Sequence, residues 1–193
     1  MVTFLNRANS ETCDDNEALD AVIVQAARHD SSAFVPLYRR YVNPVYRYLY
    51  SRVGNSDDAE DLTSQVFIEA LTGLASYREQ GRFAAWLFTI ARRRLIDHYR
   101  QYPPQQPLSR VINQSAADPS PLGQVAHNEA LTHLASLVAH LDDDKQELLR
   151  LRFAADLTYA EIGRLVGRSE AATKMAIHRL LRQLEESWEV DHA

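Results

Sequence analysis

What most restricts this chain is a break in its pattern. Two long blocks with apolar residues every three or four positions flank a stretch rich in proline and almost without charge. That stretch opens with Tyr102-Pro103-Pro104-Gln105-Gln106-Pro107 and nears its end at Asp118-Pro119-Ser120-Pro121. Proline removes a backbone donor, and polar uncharged neighbours give nothing to bury, so residues 103–125 are expected to form a flexible, semi-extended linker. On either side the spacing is helical. Ahead of the break run Leu19, Val22, Ile23, Ala26 and Ala27, then Phe34, Leu37, Tyr38, Tyr41, Val45, Tyr48, Leu49 and Val53. Asp30-Ser31-Ser32 and Gly54-Asn55 punctuate these runs, and Pro44 is expected to kink the second. Leu62, Val66, Phe67, Ala70 and Leu71 mark a third helix, and Phe83–Tyr102 a fourth. Beyond the break the pattern predicts helices over Val125–Ala139, Asp142–Ala154, Tyr159–Val166 and Ser169–Ser187. No period-two alternation of useful length occurs, and six glycines with seven prolines are few for hairpins. The expected fold is all-α: a loose acidic tail over 1–16, one helical domain over 17–102, the linker, and a second helical domain over 126–193.

The formal charge of −5 argues mildly against a nucleic-acid partner. Its distribution argues otherwise. Residues 31–53 hold four arginines and no acid, and residues 54–70 hold five acids and no base. Residues 76–102 hold six arginines against two acids, and 168–182 four bases against one acid. Local fields, not the total, should therefore decide the partners. The lone Cys13 excludes an internal disulfide framework and a multi-cysteine zinc site. No segment approaches ~18 uninterrupted apolar residues, and the N-terminus lacks a basic-then-apolar leader, so a cytoplasmic protein without membrane insertion is expected.

Three constellations carry the chemistry. Tyr159–Val166, the turn Gly167-Arg168-Ser169 and the basic helix that follows form a helix-turn-helix pattern. Gly163 and Ala160 let the two helices approach closely. Arg168, Ser169, Glu170, Thr173, Lys174, His178, Arg179 and Arg182 are the residues placed to meet phosphates and base edges. An ordinary helical hairpin with a solvated basic face is the alternative. Secondly, Phe83–Arg100 interleaves aromatic and basic residues, a combination that gives phosphate contacts and stacking platforms for unpaired bases. Trp86, Arg92, Arg93, Arg94, His98 and Arg100 are its candidates, with Trp86 equally at home in a core. Thirdly, Asp57, Asp58, Glu60 and Asp61 crowd one helix start. They suit the dipole or an acidic docking face better than a metal, since nothing nearby completes a coordination shell. No phosphate-binding loop, His-Glu-x-x-His or Gly-x-Ser-x-Gly is present. No catalytic residue, metal or cofactor is expected.

In order along the chain, these blocks resemble bacterial RNA polymerase sigma factors of the extracytoplasmic-function (ECF) group, in the sigma-70 family. The resemblance covers residues 17–102 and 126–188. It rests on Ala33-Phe34 with Leu37-Tyr38-Arg39-Arg40-Tyr41, on Asp58-Ala59-Glu60-Asp61-Leu62 with Gln65-Val66-Phe67, on Phe83–Arg100 and on Leu141–Leu184. It implies docking on the polymerase β′ clamp through Asp58, Asp61, Leu62, Gln65 and Phe67. The minus-ten element would meet Arg78, Arg82 and the Phe83–Arg100 helix. The helix-turn-helix would read the minus-thirty-five element beside the β flap, with the linker in the RNA-exit path and an anti-sigma protein as regulator. Ala171-Ala172-Thr173 and Met175-Ala176 depart from the family's usual residues, which makes Lys174, His178 and Arg179 the main readout candidates. Two other readings compete: a one-component helix-turn-helix regulator with a helical N-terminal sensor domain, and a helical hydrolase using Asp97 and His98.

Overall fold

The computed structural model describes the backbone of residues 8–78, 83–102 and 121–191, with side chains over 17–78, 83–102 and 130–189. Among the described residues, eight α-helices follow in chain order: α1 (Ala8–Ala27), α2 (Val35–Val53), α3 (Ser56–Gly73), α4 (Phe83–Gln101), α5 (Pro121–Ala139), α6 (Asp143–Leu149), α7 (Tyr159–Val166) and α8 (Glu170–Asp191). A 3₁₀ turn, Ser31–Phe34, leads into α2, and a π-helical turn, Arg150–Ala154, continues α6. No strand occurs among the described residues, as the all-α pattern predicts.

Helix starts follow the expected cap chemistry. Asp30 accepts from the Ser32 amide, and Asn55 takes the amides of Asp57 and Asp58 at 2.8 and 3.2 Å. Asp142 accepts from the Lys145 amide at 2.9 Å. Gly54 closes α2 in the left-handed region at φ 70°, and the helix runs unbroken through Pro44. Two boundaries differ from the periodicity. Part of the expected acidic tail is helical, since α1 begins at Ala8; a polar segment carries no apolar stripe by which periodicity could mark it. Likewise α5 begins at Pro121, inside the expected linker, because proline is well suited to a first helical position. The rest of the linker (103–120), tail residues 1–7 and loop residues 79–82 lie outside the described residues.

In the N-terminal half, α2, α3 and α4 pack around an aromatic cluster. Phe34 meets Phe67 and Phe83 edge-on with ring centroids 6.4 Å apart, and Tyr48 meets Phe88 at 5.5 Å. Helix α1 joins through Asp20, a buried carboxylate that accepts from the Tyr41 hydroxyl and the Arg40 guanidinium. In the C-terminal half, Leu141, Leu149, Leu180 and Leu184 make a small cluster of their own. Leu148, Leu151, Ala155, Leu157, Ile162 and Ile177, however, belong to the same buried cluster as Val45, Tyr48, Leu49, Leu87 and Leu95. The two halves are thus packed on each other through one continuous apolar core.

Candidate polymerase- and promoter-binding surfaces

Helix α3 sorts its residues by face. Ala59, Leu62, Thr63, Val66, Phe67 and Ala70 are buried, and the Thr63 hydroxyl donates to the Ala59 carbonyl at 2.6 Å. Leu62 and Phe67, expected at the docking surface, are 3% and 6% exposed, so they support that surface from beneath. Asp58, Asp61, Gln65 and Ile68 recur at three- and four-residue steps and share the outward stripe, with Asp61 and Gln65 exposed and Ile68 65% exposed. Beside this stripe lies an open groove of about 400 Å³ lined by Phe34, Val35, Tyr38, Phe67, Ile68 and Leu71. An acidic edge and an apolar floor together suit a protein partner.

Helix α4 buries Phe83, Ala84, Leu87, Phe88, Ile90, Ala91 and Leu95. Trp86 is half-buried among Tyr77 and Phe83, with centroids 4.7 and 5.7 Å away, which favours a structural role over an open stacking platform. The arginines of α4 already hold acids within the chain. Arg94 Nε reaches Glu69 at 2.6 Å and Arg93 Nη1 reaches it at 3.4 Å, while Arg100 pairs with Asp97 at 3.6 Å. Arg92 pairs with Glu147 at 3.2 Å and donates to the Leu165 carbonyl. His98 lies against Tyr99 and Tyr102 near the end of the helix. Arg78 is exposed, and Arg82 lies outside the described residues.

The helix-turn-helix is built as its sequence requires. Thr158 and Glu161 form a reciprocal capping box at the start of α7. Gly167 closes α7 at φ 70°, and the amides of Gly167 and Arg168 both donate to the Gly163 carbonyl. The Ser169 hydroxyl accepts from the Ala172 amide at 3.2 Å, so Ser169 caps α8. Thr173, expected to face DNA, is fully buried and donates to the Ser169 carbonyl at 3.0 Å. It sits on the inward stripe that continues through Ile177, Leu180 and Leu184. His178 also turns inward, its ring beside Tyr159, and Lys174 is half-buried. The outward face of α8 instead presents Ala171, Ala172, Met175, Arg179 and Arg182, next to exposed Arg168, Ser169 and Glu170. Ala172 and Met175 were not expected in that role. Their spacing to Arg179 (172, 175, 179) is the signal that marks them.

Comparison with known proteins identifies the family. Residues 37–102 match the family Sigma-70 region 2, and residues 132–184 match Sigma-70, region 4. The ECF RNA polymerase sigma factor BldN of Streptomyces coelicolor is 34% identical over 173 residues, covering 88% of this chain and 66% of that protein. The ECF RNA polymerase sigma factor SigM of Bacillus subtilis is 32% identical over 152 residues, covering 77% of this chain and 91% of that protein. Among solved structures, CnrH in complex with the cytosolic domain of CnrY matches 89% of this chain and 98% of its own, with a TM-score of 0.63 at 21% identity, a likeness of fold. The chain belongs to the sigma-70 family of RNA polymerase sigma factors, in its ECF group.

Proposed function

We propose that this ECF sigma factor docks on core RNA polymerase through Asp58, Asp61 and Gln65 of α3, with the neighbouring apolar groove taking part of the same partner surface. The partner surface that the family resemblance implies there is the β′ clamp. Charge complementarity there would speed and orient assembly, and the buried Leu62 and Phe67 would hold the stripe rigid. Residues 17–102 then meet the minus-ten element, with Arg78, Arg82, Arg92, Arg93, Arg94 and Arg100 on phosphates. Strand opening follows from binding unpaired bases better than paired ones, a difference that a cationic surface with accessible aromatic edges supplies. Residues 126–193 hold the minus-thirty-five element against the exposed face of α8, where Arg168, Arg179 and Arg182 supply charge. Ala172 and Met175 suit contact with a thymine methyl group. A second apolar groove, lined by Leu131, Leu134, Leu184 and Trp188 between α5 and α8, suits the flap of the β subunit. An anti-sigma regulator would compete for these same surfaces.

The observation that carries this reading is the order of exposed faces: acidic stripe, arginine-rich helix, then helix-turn-helix. The one-component regulator has no use for the first of these. Run-off transcription with core polymerase plus this chain, with sequencing of transcript starts, tests the reading. Starts sharing two upstream elements are expected; a chain that binds duplex operators tightly and leaves core polymerase unaffected would sink it.

Arg179→Ala gives a finer check. A base-edge contact predicts a loss of ~1–3 kcal/mol in promoter binding, confined to templates with an intact upstream element. An equal loss on a scrambled element would make Arg179 a phosphate contact instead.

A further inference from the structure

Helix α8 is divided along its length. A helix-turn-helix meets base edges with the first turns of its second helix, so the exposed side chains there decide what it can distinguish. In the first two turns of α8 these are Glu170, Ala171, Ala172 and Met175, the last 53% exposed. None is a cation. Lys174 is half-buried, and His178 in the next turn lies inward beside Tyr159. Thr173, the one hydroxyl of these two turns, is buried and donates to the Ser169 carbonyl. The exposed arginines stand to either side: Arg168 in the turn before the helix, Arg179 and Arg182 in its third and fourth turns.

We propose that this chain reads its upstream element through thymine methyl groups, with Ala172 and Met175 seated on two neighbouring A·T pairs at the place where an arginine or lysine would select guanine. The proposal deepens the assignment of α8 to the minus-thirty-five element and rests on the sigma-factor reading.

The chemistry of the major groove gives the discrimination two sources. Thymine offers an apolar group there, its C5 methyl, whereas guanine offers the acceptors O6 and N7 and cytosine an amino donor. A thymine methyl gains by leaving water against Ala172 or Met175. A G·C pair pressed on the same side chains loses water and finds no partner for its polar groups. Spacing fits a single base step. Three residues advance ~4.5 Å along a helix, and successive base pairs lie ~3.4 Å apart. The two side chains also divide the work by size. Ala172 lets the backbone of α8 come close to the bases, and Met175, unbranched and polarizable, can follow a methyl group farther off. Charge is left to the flanks, where Arg168 and Arg182 suit phosphates.

The test uses the full-length chain with core polymerase, on the promoter mapped by run-off transcription. Deoxyuridine in place of thymine removes the methyl group and keeps every hydrogen-bonding group. Burial of one methyl is worth ~0.8 kcal/mol, or about fourfold. Promoter binding should therefore fall about fourfold when one facing thymine of the upstream element is replaced, and ~10-fold or more when two are. The same replacement between the two elements should change nothing. Met175→Ala should weaken binding to the thymine template and shrink the deoxyuridine effect; Met175→Leu, which keeps the apolar bulk, should restore both. Equal losses by Met175→Ala on thymine and deoxyuridine templates would show a merely structural role and overturn the proposal. So would an upstream element of G·C pairs alone, or full deoxyuridine replacement without loss of binding, while transcription from the promoter stands. A chain that yields no transcripts with core polymerase would instead defeat the sigma-factor reading, and this inference with it.

Discussion

Asp61→Arg is expected to abolish run-off transcription and co-purification with core polymerase while leaving the fold intact. The side chain is exposed on the second turn of α3, and the buried face beneath it (Leu62, Val66, Phe67) is untouched by the change. A sign reversal at a docking surface removes one attraction and replaces it with repulsion. Facing like charges cost several kcal/mol, and each 1.4 kcal/mol is tenfold, so affinity for core should fall by ~100-fold or more. Helix stability should change little, since Asp61 lies beyond the first turn, where dipole effects are strongest. Asp143→Arg is the matched control. It makes the same charge change on an exposed residue at the start of α6, away from the acidic stripe, and should leave co-purification close to wild type. Added salt should weaken wild-type assembly and narrow the gap between the two variants, because exposed charges are screened. Core binding by Asp61→Arg at the wild-type level would remove α3 from the docking surface.

How far such surfaces could be read from sequence depends on whether each residue's role is local. Helix periodicity placed the elements, and cap residues placed most starts, because both act within one or two turns. The α3 and α8 surfaces were legible as patches but not residue by residue. Leu62, Phe67 and Thr173 fall inside conspicuous motifs, yet each lies on its helix's apolar stripe and is buried. The stripe was the better guide: Thr173, Ile177, Leu180 and Leu184 step by four, three and four. Glu147 was not legible at all. It belongs to an acidic run, Asp142 to Glu147, that reads as a solvated helix start, and its partners Tyr48 and Arg52 lie 99 and 95 positions away. No local pattern encodes a contact of that range. The same holds for the pairing of Arg93 and Arg94 with Glu69, which converts an apparently open cationic helix into one already occupied.

Gly163→Ala should damage the helix-turn-helix although alanine is the better helix former. By propensity alone the change at a helix interior should stabilise by about 1 kcal/mol. Geometry decides otherwise. A methyl carbon at Gly163 would stand 2.6 Å from the Arg168 carbonyl oxygen and 3.1 Å from the Thr173 hydroxyl. The first of these is backbone in the turn, fixed by the amides that Gly167 and Arg168 donate to Gly163. The turn must therefore open, which displaces the Thr173 hydroxyl from the Ser169 carbonyl and re-aims α8. Overpacking of this kind costs ~1–3 kcal/mol, so the net effect should be a lower midpoint of thermal unfolding for the C-terminal half. Binding should suffer more than stability, since base-edge contacts tolerate little misplacement. Transcription that depends on the upstream element should fall at least ~10-fold, an amount that the loss of one well-placed base contact can supply. Gly73→Ala supplies the contrast. There an added methyl meets only the Trp86 ring at 3.4 Å, ordinary contact, so propensity should win and the chain should be unharmed or slightly stabilised. If both alanine variants gained stability alike, close approach at Gly163 would not be what sets the angle between α7 and α8.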